Sequence, residues 1–105
     1  MAIDQLNDAQ QQQLEAAVLR RLLAHLDGRK DVQNIELMNL AGFCRNCLSN
    51  WYVEAATQAG LQVDRDDARE RVYGMPYSTW KSEHQREATP EQLAEMQRQQ
   101  QQGGH

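Results

Sequence analysis

The 105-residue sequence is poor in the residues that build β-sheets, disulfide scaffolds and membrane spans. Val, Ile and Thr together number only 10, and this scarcity of β-branched side chains argues against a β-rich fold. The two cysteines are too few for a disulfide scaffold, and no run of about 18 apolar residues predicts a membrane-spanning helix. Leu, Ile, Val and Phe total only 19, so we expect a thin core that a partner subunit or a metal ion helps to stabilise.

An excess of basic charge is also missing. The chain has 11 Lys and Arg against 15 Asp and Glu, a formal net charge of −4. Proteins that bind nucleic acids or anionic membranes usually carry a basic excess, so we expect neither partner here. Residues 1–13 are polar and rich in glutamine, without the basic and apolar regions of a secretory signal, and this predicts a cytoplasmic protein.

Helical periodicity is the main pattern that is present. Apolar residues recur every four positions over residues 8–26, and Asn7 with Gln10 has the spacing of a capping box. The segment 34–60 is apolar at spacings of three and four with few charges. It predicts a helix buried over much of its circumference, either continuous or divided into two near Gly42.

Start and stop signals divide the rest of the chain. Asp64 predicts the beginning of a helix and Gly74 its end. Pro76 is typical of the first position of the next helix, and Thr89 precedes the last one.

These patterns predict an all-α fold of about four to six helices in a single domain, residues 1–96. Residues 97–105 are predicted to be a flexible Gln- and Gly-rich tail. We expect residues 34–59 to form the core, with Trp51 buried. Because a short chain has little else to cover so apolar a segment, we also expect a homodimer.

Cys44 and Cys47 are the candidate chemical site. At this spacing on a helix the two side chains lie on one face, about 5–6 Å apart at Cβ. Three interpretations stay open: the thiols pack as apolar core residues, bind zinc, or cycle between thiol and disulfide. Zinc needs four ligands and no second CxxC motif exists, so His84 or His25 would complete a site, within one chain or across a dimer.

Other signatures of catalysis or nucleotide binding are absent from the sequence. We therefore expect no enzymatic activity outside cysteine chemistry, and no cofactor apart from the zinc ion considered above. Four asparagines in the apolar segment are either exposed or buried and hydrogen-bonded, within the chain or across a subunit interface: Asn34, Asn39, Asn46 and Asn50.

Two strings, DVQNIELMNLAGFCRNCLSNWY at residues 31–52 and RERVYGMPYSTWK at residues 69–81, resemble a family of short proteobacterial proteins described as a domain of unknown function. The resemblance extends roughly over residues 10–95. It implies an all-helical, dimeric, cytoplasmic protein and implies no activity. The leading functional hypothesis is a structural or protein-interaction module; the alternative is a zinc-binding or thiol-redox protein that uses Cys44 and Cys47.

Overall fold

The computed structural model describes residues 2–101, and over this range it contains helices and no strand, which confirms the all-α prediction. A short 3₁₀ turn at Ile3–Gln5 precedes six α-helices. The helices are α1 Asp8–Asp27, α2 Asn34–Ala41, α3 Arg45–Gln58, α4 Arg65–Tyr73, α5 Tyr77–His84 and α6 Pro90–Gln101.

The first and last helices begin at the capping boxes that the sequence predicts. The Asn7 side chain accepts a hydrogen bond from the Gln10 amide at 2.8 Å, and the Gln10 side chain accepts one from the Asn7 amide at 3.0 Å. Thr89 and Gln92 make the same reciprocal pair, at 3.1 Å and 2.9 Å, before α6. Each box satisfies backbone N–H groups that would otherwise lack a partner in the first helical turn.

Glycines in the left-handed conformation follow the ends of three helices, at Gly42, Gly60 and Gly74. The segment 34–60 forms two helices, as the divided alternative predicts, because Gly42 adopts φ 78° and closes α2 with a bond from its amide to the Met38 carbonyl. Gly74 ends α4 in the same way at φ 74°. Pro76 is the residue before α5 and not its first residue, since its ψ of 138° is extended.

The core lies where α4 and α5 meet α1, and not in the middle of residues 34–59. Its fully buried cluster consists of Leu23, Val72, Tyr73 and Trp80. The Tyr73 ring packs edge-on against Trp80, with centroids 5.0 Å apart. Partly buried side chains complete this cluster: Leu48, Met75 and Tyr77.

The prediction that Trp51 is buried is wrong for the single chain, because Trp51 is 49% exposed and Leu40 is 85% exposed. The reason is the face that α3 turns inward. That face carries Arg45, Ser49 and Ala56, at helical spacings of four and seven, and α3 packs along α4. Trp51 lies on another face, where its ring stacks on Phe43.

The remaining contacts attach α2 to α6 and α1 to α4. None of the helices within residues 2–101 is both long and apolar enough to cross a lipid bilayer.

The last helix runs past the predicted domain end at residue 96 and reaches Gln101. Residues 102–105, the end of the predicted flexible tail, lie outside the described residues.

Candidate functional site

The break between α2 and α3 brings the two cysteines to the first turn of a helix. After Gly42, the chain is extended at Cys44, with φ −146° and ψ −175°, and α3 starts at Arg45. Cys44 is therefore the N-cap residue of α3, and Cys47 is the third residue of the helix. This confirms the predicted division of the segment near Gly42, and it places the cysteine pair at a helix N-terminus, where thiolates are favoured.

The two sulfur atoms lie next to each other as thiols. Cys44 Sγ and Cys47 Sγ are 4.0 Å apart and are not joined by a disulfide. Cys44 is buried at 6% exposure, whereas Cys47 is partly exposed. Burial raises the pKa of the Cys44 thiol, although backbone N–H groups of Cys47 and Asn46 favour the thiolate. Cys44 is therefore protonated at neutral pH and a slow nucleophile.

Arg45 lies between the cysteines in sequence and points into the core. It is only 2% exposed, and its guanidinium donates hydrogen bonds to the carbonyls of Val32 at 2.7 Å and Arg29 at 3.0 Å. A further bond reaches the side-chain oxygen of Asn34 at 3.1 Å. These acceptors are uncharged, and the guanidinium also lies 5.1 Å from the centroid of the Trp80 ring. Burial lowers the pKa of Arg45, as expected for a cation taken out of water.

A chain of hydrogen bonds links this arginine to Tyr73. The Asn34 amide donates to the Tyr73 hydroxyl at 3.0 Å, and that hydroxyl donates to Asn46 Oδ1 at 2.7 Å. Burial raises the pKa of Tyr73 well above its ordinary value, so the hydroxyl stays protonated. Asn34 and Asn46 are therefore part of a buried polar network.

The other two asparagines differ from each other. The Asn39 amide donates to the Gln92 carbonyl of α6 at 3.0 Å, and its buried side-chain oxygen has no hydrogen-bond partner among residues 2–101. Asn50 accepts a hydrogen bond from Arg65 at an exposed position. All four asparagines are partly buried, and the hydrogen bonds of Asn34, Asn46 and Asn39 lie within the chain.

A cavity of about 490 Å³ lies beside this network. Cys44, Asn34 and Asn46 contribute to one side of it, and the connection between α5 and α6 contributes another. Gln33 holds that connection in place through its side-chain amide. The amide nitrogen donates to the His84 carbonyl at 2.9 Å, and the amide oxygen accepts from the Arg86 backbone N–H at 2.7 Å. A space of this size is in the range of small-molecule sites.

The predicted zinc ligands are not assembled into one group. Within residues 2–101, no three His, Cys, Asp or Glu side chains are placed together so that they could hold a metal ion. The His84 ring lies beside Trp80, with ring centroids 6.3 Å apart, and His25 is exposed near the end of α1. A zinc ion bound by Cys44, Cys47 and His84 stays a prediction, and the two cysteines alone supply half of its ligands.

Sequence reasoning did not identify Arg45, Gln33 and Tyr73 as the residues that organise the site. One signal was available for Arg45, because it is one of only three charged residues among residues 34–63. A lone arginine in an apolar helical segment either breaks the buried face or is buried with hydrogen-bond partners. No comparable signal marks Gln33, whose partners are 51 and 53 residues away.

Comparison with known proteins gives a family and no activity. Residues 32–98 match the family described as "Protein of unknown function (DUF1244)". This range covers more than half of the chain and includes α2 to α5, both cysteines and the buried network. No curated protein matches the sequence. Since the match covers most of the fold and its candidate site, the chain belongs to the DUF1244 family of proteins of unknown function.

Proposed function

We propose that this chain is a small protein-interaction module that associates with a second copy of itself through α1. The observation that carries the proposal is a row of apolar side chains on that helix. Leu14, Val18 and Leu22 follow each other at intervals of four and are 54%, 69% and 38% exposed. Single exposed apolar residues are normal on protein surfaces, but a continuous row on one helix face is typical of an interaction site.

The apolar residues of α1 differ in burial along the helix. Leu23 and Leu26 are buried and attach the C-terminal half of the helix to the core. Towards the N-terminus, the row at Leu14, Val18 and Leu22 is exposed within residues 2–101. Leu14 and Leu22 are eight residues apart, so the row extends about 12 Å along a helix of 20 residues that is about 30 Å long.

A second copy is the favoured occupant for two reasons. A two-fold interface uses the same patch twice, and a row centred on Val18 is able to pack against itself around such an axis. The core of the single chain is also small, with eight buried hydrophobic residues among those described. Burying the α1 row in a dimer adds to that core the apolar surface that it lacks.

The test is the oligomeric state of two matched variants. Val18→Asp places a charge at the centre of the α1 row, and we expect it to convert a dimer into a monomer in sedimentation experiments at micromolar concentration. Leu40→Asp is the control, because Leu40 is 85% exposed but lies at the end of α2. A wild-type monomer refutes the proposal. A dimer that survives Val18→Asp refutes the α1 interface.

A cytoplasmic location is part of the proposal. Two adjacent thiols persist in a reducing compartment, whereas secreted proteins form disulfides from such pairs.

A further inference from the structure

We propose that Cys44 and Cys47 are a site of reversible oxidation, at which a hydroperoxide closes a disulfide within the chain. Closure then acts on the buried network through Arg45 and Asn46, the two residues between the cysteines. This inference is independent of the dimer proposed above. It depends on the distance between the sulfurs, on their unequal exposure, and on the contacts of the residues between them.

The distance is short enough for closure by side-chain rotation. The two Sγ atoms are 4.0 Å apart, and a disulfide needs about 2.05 Å. Cys44 precedes the helix in an extended conformation, so rotation about its Cα–Cβ bond leaves the helical φ and ψ angles of α3 unchanged.

The unequal exposure of the two cysteines determines which thiol is oxidised first. Cys47 is partly exposed and meets the hydroperoxide first. Its sulfur attacks one peroxide oxygen and the O–O bond breaks. The proton of the thiol passes to the departing oxygen, and the products are a Cys47 sulfenic acid and an alcohol, or water if the oxidant is hydrogen peroxide. Cys44 is buried beside it and then attacks the sulfenic sulfur. The S–O bond breaks, and the hydroxyl group leaves as water with the proton of the Cys44 thiol.

The balance of the reaction is complete. Two thiols lose two electrons and two protons to become one disulfide, and the hydroperoxide is reduced to an alcohol and water. A dithiol reductant reverses the reaction by thiol–disulfide exchange. Cys44 is the N-cap residue of α3, and the backbone N–H groups of Asn46 and Cys47 in the first turn favour the thiolate that develops during the second step.

The residues between the cysteines connect the site to the core. Arg45 donates a hydrogen bond to the Val32 carbonyl at 2.7 Å, and its guanidinium lies over the Trp80 ring. Asn46 accepts a hydrogen bond from the Tyr73 hydroxyl at 2.7 Å. Rotation of the buried Cys44 side chain towards Cys47 changes the packing next to both Arg45 and Asn46. Because close-packed interiors transmit such shifts, we expect the surroundings of Trp80 to differ between the thiol and disulfide forms.

The first experiment treats the reduced full-length chain with hydrogen peroxide and measures its mass and its thiol content after denaturation. We expect single chains without interchain disulfides, each lighter by two hydrogens and without a remaining thiol. Dithiothreitol should restore both the original mass and the two thiols. In Cys44→Ser, and in Cys44→Ala as a second folded variant, we expect a sulfenic acid on Cys47 that dimedone traps. Three outcomes would each overturn the proposal. They are that both thiols remain, that a sulfinic acid forms without a disulfide within the chain, or that the only disulfides formed are those between two chains.

The second experiment tests the coupling to the core. In Trp51→Phe, tryptophan fluorescence comes from Trp80 alone, and we expect a change in its emission on oxidation that dithiothreitol reverses. The control is Trp51→Phe combined with Cys47→Ser, which accounts for direct oxidation of other side chains and should show no reversible change. Unchanged emission in a chain that has formed the disulfide would refute the coupling.

Discussion

The Arg45 guanidinium lies 5.1 Å from the centroid of the Trp80 ring, and both side chains are almost fully buried. This contact joins the first turn of α3 to α5 and couples the cysteine pair to the core. A cation over an aromatic face is favourable, and more so when both groups are removed from water. The carbonyls of Val32 and Arg29 satisfy the guanidinium at the same time.

The two tryptophans should respond very differently to replacement by alanine. Trp80 is 1% exposed and Trp51 is 49% exposed. We expect Trp80→Ala to lower the free energy of unfolding by about 3–5 kcal/mol, the usual cost of removing a buried large aromatic side chain. Trp51→Ala should cost less than about 1 kcal/mol at concentrations where the chain is monomeric. Urea melts of both variants compare the two sites, and equal losses would contradict the core described above.

Arg45 should be hard to replace because its guanidinium is buried and makes hydrogen bonds to neutral acceptors. Arg45→Met removes the donor to the partly buried carbonyls of Val32 and Arg29, and we expect a loss of about 2–4 kcal/mol in the free energy of unfolding. The matched control is Arg71→Met, because Arg71 is exposed in the last turn of α4. Its effect should stay within about 0.5 kcal/mol in the same denaturant series.

Two glycines offer a matched test of backbone conformation. Gly74 adopts φ 74°, and a Cβ atom there would also approach the Asp27 carboxylate at 2.7 Å. We expect Gly74→Ala to cost about 1 kcal/mol or more. Gly28 has φ −77° and room for a Cβ atom, so Gly28→Ala should be neutral or stabilise by up to about 1 kcal/mol. Thermal melts that rank the two in the opposite order would rule out the left-handed end of α4.

Stability should fall as the pH becomes alkaline. Burial raises the pKa of Cys44 and of Tyr73, so the folded chain holds these protons at a pH where the unfolded chain releases them. The stabilisation is complete below the ordinary pKa of a thiol, 9.0, and decreases as the pH rises above it. Urea melts between neutral and alkaline pH should show this decrease, and Cys44→Ala should show a smaller one because only Tyr73 remains. A stability that rises with pH over this range would contradict the buried thiol.

Metal content separates the remaining interpretations of the cysteine pair. With only two sulfur ligands placed together among residues 2–101, we expect purified protein to carry far less than one zinc per two chains. Elemental analysis before and after chelation measures this directly, and Cys44→Ser provides the comparison. One zinc per chain, or one per dimer, that is lost in Cys44→Ser and in His84→Ala would instead establish the site predicted from Cys44, Cys47 and His84.

The sequence alone determined where the helices begin and end, because those signals act over three or four residues. The capping boxes at Asn7 and Thr89 and the left-handed Gly74 require only neighbours along the chain. The cysteine pair belongs to the same class, since the start of α3 brings both sulfurs together.

Only the tertiary structure decided which side of each helix is buried. Trp51 and Trp80 both lie in apolar patterns, but α3 turns the face of Arg45 and Ser49 towards α4, and this leaves Trp51 exposed. The hydrogen bonds of Arg45 and Gln33 likewise join residues 11 to 53 positions apart. Local spacing carries no information on such distant partners, because they depend on how the helices pack and not on the helices themselves.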